Sequence, residues 1–169
     1  MKKHILLSLA FALTLGVIFL SGQFSLTTAR EPKILEFDSM VGLPSAFTGS
    51  QRPIRGINGG GLPWDIGSTF GELKANGKLE ISVQGLVFAD GPNKGRNTIP
   101  FFRGVVSCLT NDGSVANLST EPFPATLGAA SSGGGNAEIE AMLNLPQPCI
   151  APIVFVTSPG GAWFATTGK

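Results

Sequence analysis

Alternating apolar and polar positions predict a hairpin at residues 68–88. Two strand-like runs flank Ala75-Asn76-Gly77-Lys78, and apolar residues alternate with polar ones over 79–84. An Asn-Gly pair readily takes the positive φ angles of a type I′ turn, whose twist suits a hairpin. The pattern therefore predicts an antiparallel hairpin with one buried and one wet face.

Similar patterns predict further short strands, at 34–40, 101–110, 115–119, 137–143, 153–157 and 162–166. The run 101–110 is apolar on both faces, which indicates a central strand. Asn111-Asp112-Gly113-Ser114 is a second tight turn. Ser158-Pro159-Gly160-Gly161 has the Pro and Gly positions of a type II turn. Prolines in the segment 146–152 predict an edge or irregular role for the strand that begins there.

Long Gly/Pro-rich loops separate the strands, chiefly 41–67, 89–100 and 120–136. No stretch has a sustained helical period. We therefore predict an all-β fold, an antiparallel β-sandwich of about eight short strands. The immunoglobulin pattern is not met, because Trp64 and Trp163 both lie outside the segment between the cysteines.

The first 29 residues have the layout of a secretory signal. Met1-Lys2-Lys3-His4 is a basic head, 5–20 carry no charge, and Thr27-Thr28-Ala29 supplies small residues for cleavage. We expect cleavage after Ala29, which leaves one exported domain, 30–169, without a membrane span. An uncleaved anchor is the alternative. The expected location is periplasmic or extracellular.

Charge and histidine content exclude several function classes. Lys2 and Lys3 account for two of the twelve basic residues, which leaves ten against eleven Asp and Glu in the predicted domain. A general nucleic-acid binder needs a concentrated basic surface, so nucleic acid is not an expected partner. The single histidine is His4, and the predicted domain therefore lacks Ser-His-Asp and Cys-His catalysis and histidine-ligated zinc.

Two cysteines, Cys108 and Cys149, remain in the predicted domain. In an exported chain such a pair indicates a disulfide. Buried free thiols and a thiol nucleophile are the alternatives, although a nucleophile needs a neighbouring base or cation. A bridge would leave no thiolate metal site, and we expect no cofactor.

Carboxylate chemistry, a Ser-Lys pair and oxygen-only cation binding remain possible. Acidic residues near loops or beside strands are candidates for a hydrolase pair: Glu36, Asp38, Asp65, Glu72, Asp90 and Asp112. Their spacing selects no pair, and alternating acids such as Glu138 and Glu140 are usually solvated. Asp90, Asn93 and Asn97 place three side-chain oxygens in one loop and are a candidate calcium site, without the spacing of a known calcium loop.

The long loop 41–67 contains the best candidate ligand surface. Trp64 near Arg52 and Arg55 would stack on a sugar or aromatic group while the guanidinium groups hold an anion. The alternative is that Trp64 covers one end of the sandwich and the arginines are solvated.

Four groups of residues carry a resemblance to other proteins: Phe37-Asp38-Ser39-Met40-Val41-Gly42, Arg55-Gly56 through Gly61-Leu62-Pro63-Trp64, Phe102-Arg103 through Ser107-Cys108-Leu109, and Pro148-Cys149-Ile150-Ala151-Pro152 through Ser158-Pro159-Gly160-Gly161-Ala162-Trp163-Phe164. In these stretches the chain resembles an uncharacterised group of small exported bacterial proteins. The resemblance implies an exported all-β domain and brings no activity, substrate or site residue.

The resulting functional hypothesis is a non-catalytic secreted or envelope module with a binding, adhesive or structural role. An extracellular glycan or another envelope protein is the expected partner. The alternatives are a carboxylate-dependent hydrolase acting on extracellular polymers and an internal cavity, lined by Phe side chains, for a lipid-like ligand.

Overall fold

Antiparallel strands make up most of the regular structure. The computed structural model describes residues 30–168, so the predicted signal segment 1–29 and Lys169 lie outside the described residues. The strands in this range are β1 (Lys33–Phe37), β2 (Val41–Gly42), β3 (Trp64–Asp65), β4 (Ser68–Lys74), β5 (Lys78–Gln84), β6 (Val87–Phe88), β7 (Arg96–Asn97), β8 (Phe101–Leu109), β9 (Val115–Ser119), β10 (Phe123–Pro124), β11 (Gly128–Ala129), β12 (Ala137–Met142), β13 (Ile150–Thr157) and β14 (Trp163–Thr166). Short 3-10 turns occur at Ser45–Phe47 and Ala130–Ser132. The all-β prediction is confirmed. Within the described range, no helix is long and apolar enough to cross a membrane.

Two larger sheets organise these strands. The four-stranded sheet has the order β1-β4-β5-β12, and all its pairings are antiparallel. The six-stranded sheet has the order β10-β8-β13-β14-β2, with β9 also paired to β8. Two short ribbons pair β3 with β6 and β7 with β11. As predicted for 101–110, β8 has neighbours on both sides.

The two larger sheets contribute to one apolar core. Gly104 of β8 faces the four-stranded sheet, since a Cβ placed there would lie 2.9 Å from Cδ2 of Leu79 and 3.3 Å from Cδ1 of Ile81. Glycine thus allows β8 to approach the opposite sheet closely. Buried side chains from both sheets belong to a single cluster, which includes Leu79, Ile81, Phe102, Val106, Ile139 and Val154. Each such side chain stabilises the fold by about 1.5 to 3 kcal/mol.

Three hairpins close with the same kind of three-residue loop, at 75–77, 111–113 and 159–161. The last residue of each loop is a glycine with positive φ, +92° at Gly77, +81° at Gly113 and +90° at Gly161. Its N–H donates a hydrogen bond to the carbonyl oxygen three residues earlier. This pattern is typical of a type I turn followed by a left-handed residue.

These loops confirm the predicted hairpins and correct two turn types. A type I′ turn requires positive φ at Asn76, and a type II turn requires it at Gly160. Neither residue has positive φ, so both assignments were wrong. In each case the following glycine takes the left-handed conformation instead, and the loop is one residue longer than predicted.

The prolines of 146–152 predicted an edge or irregular segment, and the structure is irregular there. The segment is not at an edge, because β13 lies between β8 and β14 inside the six-stranded sheet. The register shifts between Ile150 and Ile153, and Ala151 has a φ of +45°. Pro152 therefore lies in a bulge, where its missing N–H does not interrupt the ladder.

A disulfide joins Cys108 to Cys149, with an S–S distance of 2.02 Å and 5.0 Å between the Cα atoms. The predicted bridge is confirmed. It connects β8 to the segment that leads into β13, and Cys108 is fully buried.

Candidate functional site

Four glutamates form a row across the outer face of the four-stranded sheet. The register pairs Glu36 with Glu72, Glu72 with Glu80, and Glu80 with Glu140, so each strand contributes one carboxylate. We call this row the glutamate ladder. Like charges directly opposite one another destabilise a sheet, and the ladder therefore requires compensating cations.

Three lysines on one side of the ladder supply those cations. The Lys33 ammonium group bridges Glu36 and Glu72, at 2.6 and 2.7 Å. Lys78 bridges the other two ladder glutamates in the same way, at 2.5 and 2.9 Å. Lys74 adds a contact of 2.9 Å to Glu72. Each carboxylate of the ladder thus has a cation beside it.

A bulge in β1 brings Lys33 onto this face. Residues three apart in a regular strand point to opposite faces, so Lys33 and Glu36 would ordinarily be separated by the sheet. The register shifts between Lys33, which pairs with Lys74, and Leu35, which pairs with Leu73. The irregularity turns Lys33 outward while Leu35 stays on the core side.

The ion pairs shift the pKa values of Glu72, Lys33 and Lys78. Hydrogen bonds from Lys33 and Lys74 lower the pKa of Glu72 to about 2. Hydrogen bonds to Glu36 and Glu72 raise the pKa of Lys33, and those to Glu80 and Glu140 raise the pKa of Lys78. Glu72 is therefore a carboxylate, and the two lysines are ammonium ions, throughout the physiological range.

A second row lies beside the ladder and contains Phe70, Ser82 and Glu138. The register pairs Phe70 with Ser82 and Ser82 with Glu138. The hydroxyl of Ser82 donates a hydrogen bond of 2.6 Å to Glu138, and Ser82 is buried, so this carboxylate is held in place. Phe70 is 63% exposed, which is high for an aromatic side chain. Asp38 comes directly after β1.

A groove of about 790 Å³ is lined by both rows. Its lining includes six carboxylates and one exposed aromatic ring, and none of the described lysines or arginines belongs to it. We call this surface the acidic face and define it by these residues: Glu36, Asp38, Phe70, Glu72, Glu80, Ser82, Glu138 and Glu140. It is a negatively charged groove on a rigid sheet.

The three residues of the ligand surface predicted in the long loop have different environments in the structure. Trp64 is 2% exposed and stacks on a phenylalanine ring of β14, with 4.0 Å between the ring centroids. The Arg55 guanidinium group donates hydrogen bonds of 2.8 and 2.7 Å to the carbonyl oxygens of Ser107 and Ala151. Arg52 is exposed. Trp64 thus belongs to the core, and Arg55 fastens the loop to the six-stranded sheet.

The aromatic side chains around Trp64 were candidates for lining the predicted lipid cavity. Phe102 and Phe164 lie 6.3 and 4.0 Å from Trp64 by ring centroids, and 6.0 Å from each other. All three side chains are buried. These rings therefore pack against one another in the core.

Two of the three predicted calcium residues use side-chain oxygens in hydrogen bonds within the fold. Asn97 is 1% exposed, and its amide donates to the carbonyl oxygens of Ile99 and Thr126 while its own oxygen accepts the Ile99 N–H. Asp90 accepts a hydrogen bond from its neighbouring backbone N–H, at 2.7 Å. Among residues 30–168, no group of three or more His, Cys, Asp or Glu side chains is placed to hold a metal ion.

Three other acidic candidates lie apart from the acidic face. Asp65 and Asp90 line a second groove, of about 610 Å³, together with Lys94. Asp112 belongs to the β8–β9 loop, where the Thr110 hydroxyl and the N–H and hydroxyl of Ser114 lower its pKa to about 2. Asp112 therefore stabilises a turn.

Comparison with protein-family models, curated proteins and solved structures finds no match. The resemblance to small exported bacterial proteins stays a prediction.

Proposed function

We propose that this chain is a non-catalytic exported binding module of the cell envelope or its exterior, and that it binds its partner through the acidic face. The observation that carries the proposal is a groove that combines six carboxylates with the exposed ring of Phe70. An exposed aromatic side chain beside charged groups is a common anchor of binding surfaces.

The rigidity of the acidic face supports this role. Its residues lie on or directly beside paired strands, and sites built on strands hold their geometry better than sites on loops. The Ser82 hydroxyl fixes Glu138, and the lysines fix the ladder. The face needs little ordering on binding, which lowers the entropic cost.

The disulfide supports an exported location, because such bonds persist in oxidising compartments. An extracellular glycan and another envelope protein are the two partner classes that fit this location. Nucleic acid does not fit, since its phosphates would be repelled by the acidic face.

The electrostatics favour binding over acid–base catalysis at this face. A general acid in glycoside hydrolysis requires a raised pKa. The pKa of Glu72 is instead lowered to about 2 by its lysine partners. A carboxylate held ionised by two ammonium groups is a poor general acid.

The test is capture of partners from envelope fractions, glycans and exported proteins by the purified exported protein. Phe70→Ala removes the exposed ring, and Phe101→Ala, at a residue 43% exposed on β8, is the matched control. We expect the Phe70 variant to lose a partner that the Phe101 variant retains. The same set of captured partners with the native protein and the Phe70 variant would contradict the proposal.

A carboxylate-dependent hydrolase is the second candidate function, and it rests on Asp65 and Asp90 lining the second groove. Turnover of an extracellular polymer that disappears in both Asp65→Asn and Asp90→Asn would favour it. Turnover that survives either change would exclude this pair as its catalytic residues.

A further inference from the structure

The acidic face has an excess of negative charge that is concentrated on one side. Six carboxylates line the groove, while the three lysines that contact the ladder lie outside its lining. The ion pairs of these lysines are all with glutamates of the ladder. Asp38 and Glu138 have no Lys or Arg nitrogen within 4.0 Å among the described residues. These two carboxylates therefore stay uncompensated.

The ladder itself shows how this sheet binds an ammonium group. Lys33 and Lys78 each place one nitrogen between carboxylates of adjacent strands, at 2.5 to 2.9 Å. Cross-strand spacing of about 4.8 Å suits this bridging geometry. Asp38 and Glu138 lie at the two outer strands of this sheet, so each would pair with a separate cation supplied from outside.

Phe70 and Ser82 lie between those two carboxylates. Phe70 is on β4 and Ser82 on β5, while Asp38 comes directly after β1 and Glu138 is on β12. An exposed phenyl ring packs well against the aliphatic stem of a lysine or arginine and attracts its charge. The second row thus offers a carboxylate, an exposed ring and a second carboxylate in order across the sheet, and the buried Ser82 hydroxyl holds the second carboxylate in place.

The dimensions of the groove favour an extended chain. Three strand spacings separate the first and last strands, which gives about 14 Å from Asp38 to Glu138. The ladder and the second row lie two residues apart along each strand, or about 7 Å. An extended polypeptide covers about 14 Å with four residues, and residues i, i+2 and i+4 face the same way.

On this basis we infer that the partner is an extended segment of another polypeptide that carries Lys or Arg at positions i and i+4. Its two cations pair with Asp38 and Glu138, and residue i+2 packs against Phe70. The inference rests on the proposed binding role of the acidic face and names the class of partner.

The test uses two labelled peptides of equal composition and the exported protein. One contains Lys-Thr-Leu-Thr-Lys and the other Lys-Thr-Leu-Lys-Thr, which places its lysines on opposite faces of an extended chain. Fluorescence anisotropy at low salt should show about fivefold weaker binding of the second peptide, the effect expected for one exposed ion pair. Binding of both should weaken as salt is added.

Matched variants identify the surface. Asp38→Asn combined with Glu138→Gln should abolish the difference between the peptides. Glu31→Gln combined with Glu121→Gln changes the net charge equally, at exposed positions away from the acidic face, and should preserve the difference. Thermal unfolding of each variant checks that the fold is intact.

Equal affinity for the two peptides, or a difference that persists in the Asp38 and Glu138 variant, would overturn the inference. Capture of a glycan that depends on Phe70, without peptide binding, would overturn the partner class and leave the proposed function standing. If Phe70→Ala still captures the same glycans and proteins as the native protein, both the inferred partner class and the proposed function are wrong.

Discussion

Replacing Gly77 by alanine should destabilise the protein more than the same change at Gly113 or Gly161. All three glycines close equivalent loops with positive φ, and that conformation costs an alanine about 1 to 2 kcal/mol. At Gly113 and Gly161 an added Cβ would meet no atom within 4 Å. At Gly77 it would lie 1.8 Å from the carbonyl oxygen of Leu143.

That overlap forces the chain after β12 to move. The hydrogen bond of 2.9 Å from the Leu143 N–H to the Gly77 carbonyl oxygen would be lost, and the buried Leu143 side chain would shift. These two effects add about 2 kcal/mol, so that Gly77→Ala costs about 3 to 4 kcal/mol in total.

Urea unfolding followed by tryptophan fluorescence measures the difference, because Trp64 and Trp163 are both buried. With a slope of about 2 kcal/mol per molar urea, the Gly77 variant should unfold about 1 M earlier than the Gly113 and Gly161 variants. Equal midpoints for all three would refute the close packing of the 75–77 loop against the end of β12.

Three further predictions concern the bridge, the ladder and the long loop. Replacing Cys108 and Cys149 together by alanine should lower the free energy of unfolding by about 4 kcal/mol, because the disulfide joins residues 41 positions apart in the sequence. Urea unfolding with and without reductant measures this difference. A loss below about 1 kcal/mol would contradict the prediction. Because the pKa of Glu72 is lowered from 4.5 to about 2, its ion pairs stabilise the fold fully at pH values above 4.5. This contribution is lost as the pH falls towards 2. The difference in thermal midpoint between native protein and Glu72→Gln should therefore shrink from pH 5 to pH 2, whereas a constant difference would refute the assignment. Arg55→Ala should cost about 2 kcal/mol through its two hydrogen bonds, measured by urea unfolding, and an unchanged midpoint would show that the loop is fastened by other contacts.

Local alternation was sufficient to predict much of the fold. The run 115–119 is β9 with the predicted bounds, and 101–110 is β8 to within one residue. The hairpins were also predictable from their turn residues. The turn types were not, because in Asn76-Gly77 and Gly160-Gly161 the same glycines suit loops of two or three residues, and the packing around the loop decides between them.

The acidic face could not be predicted from any single strand, because it depends on how the strands pair. Glu36, Glu72, Glu80 and Glu140 each have the alternation of an ordinary solvated position, and they align only through three separate strand registers. Lys33 lies on the same face because of a bulge in β1, and the sequence of β1 does not predict that bulge.

The long loop was misleading for a related reason. Trp64 lies near two arginines in the sequence, but its ring is buried against β14, which comes about a hundred residues later. Whether a tryptophan covers the core or faces a ligand depends on such distant partners. Sequence proximity to Arg52 and Arg55 therefore could not decide its role.

The binding role of the acidic face is tested most directly by amide chemical shifts of the isotopically labelled protein during titration with the Lys-Thr-Leu-Thr-Lys peptide. We expect the shifts to change along β1, β4, β5 and β12, with the largest changes near Phe70 and Glu138. Changes confined to the loop around Arg52 or to the second groove, or no changes at the highest peptide concentration, would contradict peptide binding at the acidic face.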